Sequence, residues 1–144
     1  MADNNPVTFE QSGPLAILTM HFGPHNLLGP DLMHGILGGL DAAQKSGARA
    51  VLLKSGLRHF SAGADLVLFE NAMSGEGKLA LSPVEFLTQL EGFPLPMVAA
   101  VNGVCVGGGF ELALACDFII AGKSAKLGSV EATIGLNPLM GAVQ

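Results

Sequence analysis

Residues 102–117 read NGVCVGGGFELALACD, an apolar stretch in which three consecutive glycines, Gly107, Gly108 and Gly109, precede a single carboxylate, Glu111. Inside regular structure each glycine costs about 0.5–1 kcal/mol relative to alanine, so a run of three needs a reason. Close approach of backbone to a ligand is one. A helix beginning at Gly108 or Gly109 would aim unpaired N–H groups, and a positive dipole end, at whatever lies beyond the preceding strand. Such a site suits a group that is anionic or becomes so during reaction. A tight strand-to-helix turn, with glycine for packing, is the plainer alternative. Nucleotide phosphates do not suit the spacing: no lysine follows the triplet as G-x-x-x-x-G-K-[ST] requires, and Gly107, Gly109 and Leu112 miss the last glycine of G-x-G-x-x-G.

Glu111 is the only polar side chain between Phe110 and Cys116. A carboxylate in such surroundings must be paired, protonated or lining a cavity. It is a candidate acid or base, or else the partner of a basic side chain, although Lys and Arg are scarce nearby. Glu131, within LGSVEATIGLNP at 127–138, reads by itself as a surface or turn glutamate. A second glycine-containing loop, HFSAGADL at 59–66, offers backbone: Ala62, Gly63 and Ala64 are small enough for their N–H groups to approach a ligand. Ser61 is no nucleophile elbow, because G-x-S-x-G needs glycine where His59 stands, and this disfavours a serine hydrolase. Asp65 reads as the cap of a following helix. His21, His25, His34 and His59 share no metal-binding register and read as surface or loop residues.

Positioning these groups requires a scaffold, and the pattern supplies one. Two short strands at 7–10 and 15–22 flank Gly13-Pro14 and form a hairpin. Leu28, Leu32, Ile36 and Leu40, with Met33 and Leu37 beside them, predict an amphipathic helix that starts at Pro30, carries Asp31 in its first turn and stops at Gly47. A short apolar strand follows at 50–54, then the loop at 55–65. Residues 66–79 read as partly helical and then mobile. Ser82, Pro83 and Glu85 form a capping-box start for a helix ended by Gly92. Next come a buried strand at 97–101, the glycine loop, a helix at 110–116 and a strand at 118–121. Strand, glycine loop, helix and strand recur, which points to α/β architecture with a parallel sheet.

The whole chain, 1–144, suits one domain. Half of it is apolar (49%), and charged residues make up 13%, against a usual share of about 25%, which excludes intrinsic disorder. The net charge is −5, and the seven cations form no cluster denser than Lys123 with Lys126, so neither nucleic acid nor an anionic membrane is an expected partner. Residues 94–122 are the most membrane-like, but Asn102, Glu111 and Asp117 interrupt them. Cys105 and Cys116 read as reduced core thiols of a cytoplasmic protein, and the opening MADNNPVTFEQ has no targeting character.

FSAGADL at 60–66, PMVAAVNGVCVGGGFELALACDFIIAG at 96–122 and LGSVEATIGLNP at 127–138 resemble, in order and separation, the three signature segments of the enoyl-CoA hydratase/isomerase (crotonase) family. The resemblance runs from about Val7 to the end. It implies a crotonase-like right-handed spiral of repeated ββα units, with the family's C-terminal helices absent from these residues. By the same likeness the backbone N–H groups of Ala64 and Gly108 form an oxyanion hole for an acyl-CoA thioester. Glu111 and Glu131 match the paired acid/base positions of the hydratases, the first activating water and the second delivering a proton. Ala62, Gly63, Asp65, Leu66, Gly107 and Pro138 would line the substrate.

The resemblance further implies a fatty-acid-type substrate with coenzyme A as part of it, no metal or redox cofactor, and a homo-oligomer, trimer or dimer of trimers. Retention of both glutamates favours hydration over double-bond isomerisation. After Pro138 the run Leu139-Met140-Gly141-Ala142-Val143-Gln144 is bulkier than the glycine-rich family run, which leaves acyl preference open. Without the C-terminal helices, apolar faces should lie uncovered, which implies association, instability or a need for a partner chain, and a silent acyl-CoA-binding or oligomerisation module is the alternative to an enzyme.

Overall fold

A computed structural model describes residues 5–67 and 81–138. The hairpin is β1 (Val7–Ser12) and β2 (Leu15–Met20), paired antiparallel. Helix α1 (Pro30–Lys45) follows, with Pro30 in the first turn, Asp31 and Lys45 placed favourably at its two ends, and Leu32, Met33, Ile36, Leu40 and Ala43 buried along one face. Strand β3 (Ala50–Ser55), helix α2 (Pro83–Glu91) and strand β4 (Met97–Val101) come next. The α2 capping box is present: the Ser82 hydroxyl accepts from Glu85 N–H at 3.2 Å and the Glu85 carboxylate accepts from Ser82 N–H at 3.0 Å. Those bonds hold the Glu85 carboxyl below the usual carboxylate range.

Strands β2, β3, β4 and β6 (Phe118–Ala121) pair in parallel, giving a five-stranded sheet in the order β1-β2-β3-β4-β6. Register explains the core. Ala16, Val51 and Met97 form one row across the sheet, and Leu18, Leu53 and Ala99 form the next, all buried on one face. Fully burying such a leucine or valine is worth about 1.5–3 kcal/mol. Asp117 ties β6 to β4 twice, its carboxylate accepting from Met97 N–H at 2.7 Å and its own N–H donating to Met97 C=O at 2.9 Å.

A second, smaller layer was not anticipated. Residues 104–106, read above as part of a glycine loop, form β5 (Val104–Val106), which pairs in parallel with β7 (Lys126–Gly128). Ser61 bridges to Cys105, and Leu28 bridges to Ala64, also in parallel. Each turn of the chain therefore places one segment in the large sheet and a short one in the second layer before a helix: β2 with Leu28 and α1, β3 with residues 61–64, β4 with β5 and α3 (Gly108–Leu114), and β6 with β7 and a 3-10 turn (Glu131–Ile134). This is the expected spiral. Strands of three residues are too short to show alternation, which is why β5 and β7 escaped the pattern. The helix starts at Gly108, the earlier of the two glycines expected to open it, and ends at Leu114, two residues short of the expected Cys116. The segments 68–79 and 139–144, read above as a mobile stretch and a bulky run, lie outside the described residues.

Candidate active site

The second layer brings two backbone loops side by side. Ser61 N–H donates to Val104 C=O and Val106 N–H donates to Ser61 C=O, both at 3.2 Å. On the other side, Leu28 N–H donates to Gly63 C=O and Asp65 N–H to Leu28 C=O, both at 2.8 Å. That bridge uses the groups flanking Ala64 and leaves the Ala64 N–H without a hydrogen-bond partner among the described residues. Gly108 N–H, first in α3, likewise has none among the described residues, because the first N–H groups of a helix have no carbonyl one turn back to bond. The two loops meet closely: a β-carbon on Gly63 would lie 3.3 Å from Val106 O and 3.9 Å from Gly108 N.

Gly107 is the hinge between β5 and α3, with φ +54° and ψ −131°, a conformation that L side chains rarely adopt. A β-carbon there would lie 3.3 Å from Glu131 Oε1 and 3.8 Å from the Gly63 α-carbon. Glu131 is thus no ordinary turn glutamate, as its isolated sequence suggests. It opens an exposed 3-10 turn, but its carboxylate lies against Gly107, and Oε2 is buried with no hydrogen-bond partner among the described residues. The signal that sequence alone could not supply was the pairing of β7 with β5, which carries Glu131 back over the glycine triplet.

Glu111 lies one turn into α3 and is 3% exposed, its N–H bonded to Gly107 C=O at 3.0 Å. It keeps a polar interaction of its own. Ala62 N–H donates to His25 C=O at 3.0 Å, and Asp65 directly precedes the helical residues Leu66 and Val67, the position of a cap. Leu66 is exposed, and Pro138 is half-buried at the end of the described chain. Gly63, Ala64, Gly107, Gly108 and Glu131 therefore form one cluster, and Glu111 is buried in the helix that Gly108 begins. Sequence reasoning missed two contributors, Asn26 and the hydroxyl of Ser61, both buried behind the 61–65 loop. Among the described residues no helix is long and apolar enough to cross a membrane. Phe118 and Ile120 are 64% and 65% exposed on β6.

The chain matches the family model described as enoyl-CoA hydratase/isomerase over residues 10–144. It is 36% identical over 127 residues to a probable enoyl-CoA hydratase of Bacillus subtilis, an alignment covering 86% of this chain and 49% of the relative. It is also 36% identical over 123 residues to the 2,3-dehydroadipyl-CoA hydratase of Escherichia coli, covering 83% and 47%. Among solved structures, an enoyl-CoA hydratase/isomerase (crotonase) from Legionella pneumophila superposes with a TM-score of 0.81 at 31% identity, over 94% of this chain and 54% of that one. Pseudomonas aeruginosa DspI gives 0.83 at 30%, over 100% and 60%. The chain spans about half the length of the relatives it matches.

Proposed function

Because this chain belongs to the enoyl-CoA hydratase/isomerase family, we propose that it carries the catalytic core of an enoyl-CoA hydratase, adding water across the double bond of a trans-2-enoyl-CoA to give a 3-hydroxyacyl-CoA. The observation that supports this most is the Glu131 carboxylate, which lies against Gly107 with Oε2 buried and without a hydrogen-bond partner among the described residues, next to the loop pair that carries the Ala64 and Gly108 N–H groups. Water attacking the β-carbon forms a C–O bond and pushes the π electrons onto the thioester oxygen. Ala64 and Gly108 N–H stabilise that oxygen; one such donor is worth about 2.7–4 kcal/mol of barrier. Glu111 takes the proton that the water loses and releases it to solvent. Glu131 gives a proton to the α-carbon as the electrons return and takes one back from solvent, so that one water is added in each cycle. The reaction so written draws on no metal or redox group, and coenzyme A enters as part of the substrate. Ala62, Gly63, Asp65, Leu66, Gly107 and Pro138 would line the acyl-CoA.

The test is hydration of crotonyl-CoA by the purified protein and by its Glu111→Gln and Glu131→Gln variants. Each variant is expected to lose at least about 10²–10⁴-fold in kcat, the range for a positioned general acid or base. Substantial activity in both would defeat the assignment. Failure to form 3-hydroxyacyl product from crotonyl-CoA, together with a Δ3-to-Δ2 double-bond shift when a 3-enoyl-CoA is supplied, would make the protein an isomerase.

A further inference from the structure

Asn26 is fully buried, with φ +48°, in the left-handed region that asparagine tolerates better than other non-glycine residues. Its side chain is saturated. Oδ1 accepts from Phe22 N–H at 2.8 Å, while Nδ2 donates to Ser55 Oγ at 2.8 Å and to Phe60 C=O at 3.0 Å. The Asn26 carbonyl accepts from the Ser61 hydroxyl at 2.7 Å, and that hydroxyl in turn accepts from Gly63 N–H at 3.3 Å. Ser61 is also fully buried. From its far side comes α3: a β-carbon on Gly109 would lie 2.6 Å from both Cβ and Oγ of Ser61 and 2.7 Å from its carbonyl.

One hydroxymethyl group thus sits between the residue preceding Ala64 and the residue following Gly108. We propose that Ser61, anchored by Asn26, is the positioning residue that sets the spacing of the Ala64 and Gly108 N–H groups. Its hydroxyl ties the Gly63-Ala64 turn to the 22–28 loop, and its bulk fixes how near the start of α3 can come. Neither side chain reaches the substrate. Both act through the backbone that does, and a misplacement near 1 Å can cost about a hundredfold in rate. This rests on the oxyanion role proposed above for those two N–H groups.

The test measures two things in Ser61→Ala and Asn26→Asp: turnover of crotonyl-CoA, and hydrogen exchange of the Ala62 and Asp65 amides, which bond to His25 and Leu28 and not to Ser61. The expected result is a kcat lowered about 10–100-fold with KM changed less than about threefold, and exchange at 62 and 65 accelerated about tenfold while α2 stays protected. A kcat within about twofold of the parent in folded Ser61→Ala overturns the proposal. So does a lowered kcat with unchanged exchange, which would make the hydroxyl a reacting group. Loss of α2 protection in both variants overturns it as well, by showing a role in the whole fold. If the parent does not hydrate crotonyl-CoA but the exchange result holds, the proposed reaction falls and the positioning role stands.

Discussion

The third and fourth strand-strand-helix units follow the same plan and each supplies one glutamate, yet they are built differently. In the third unit, β4, β5 and α3 are walled in: Met97, Ala99, Val101, Cys105, Leu112 and Ala113 are buried, and Glu111 is buried with them. In the fourth, β6 is the edge of the large sheet, Phe118, Ile120, Leu127 and Ile134 are exposed, and the turn that carries Glu131 contains no buried residue. Burial among Leu112, Ala113 and their neighbours fixes the first carboxylate. The second is held by β7 pairing with β5 and by one close approach to Gly107. Equivalent topology therefore does not mean equivalent support, and the two acids should fail in different ways.

The largest separation between the units is in stability. Leu112→Ala in α3 is expected to cost about 2–5 kcal/mol, the sum of lost transfer energy and a cavity in packed surroundings. Ile134→Ala in the 3-10 turn, 61% exposed, should stay within about 0.5 kcal/mol. Urea unfolding of the two variants measures both. Equal losses would mean that the fourth unit is packed as tightly as the third.

The same difference governs how much was legible in the sequence. The hairpin, α1, β3, α2 and β4 could be read directly, because each is long enough to show its period or carries its own punctuation, as Ser82, Pro83 and Glu85 do. Glu111 could be singled out because it breaks an otherwise apolar helix. Glu131 could be placed only by resemblance: its neighbours are exposed, and its environment comes from Gly107, 24 residues earlier. Asn26 and Ser61 were invisible as a pair, since a contact across 35 residues leaves no local periodicity. Short parallel pairings such as β5 with β7 belong to the same class of non-local information.

A middle-sized effect separates two glycines with positive φ. Gly135, φ +75° and ψ +18°, closes the 3-10 turn with open space around its α-carbon, so Gly135→Ala should cost about 1–2 kcal/mol of backbone strain and leave hydration nearly intact. Gly107→Ala should cost about 1–3 kcal/mol for its sparsely populated backbone conformation. It should also push its new methyl against Glu131 Oε1 and lower kcat well beyond what Gly135→Ala does. Melting curves together with crotonyl-CoA kinetics check the pair. Similar kcat values in the two variants would detach Glu131 from the site.

The last effect is nil at neutral pH and appears only in alkali. Both cysteines belong to the third unit. Cys105 Sγ lies 3.3 Å from Gly109 C=O and Cys116 Sγ 3.6 Å from Leu112 C=O. Burial pushes both thiols up to about 12 from an ordinary 9.0, with the neighbouring Asp117 adding a smaller push at Cys116. Above pH 9 the unfolded chain loses these two protons while the folded chain keeps them. The unfolded state then binds fewer protons, so stability must fall as pH rises, through a window from 9.0 to about 12. Below that window the thiol contribution is fully present. Urea midpoints taken across it should drop more steeply for the parent than for a Cys105→Ala/Cys116→Ala variant, and iodoacetamide should label neither thiol until the protein unfolds. Labelling of the folded protein, or parallel slopes, would show that the third unit opens as readily as the fourth.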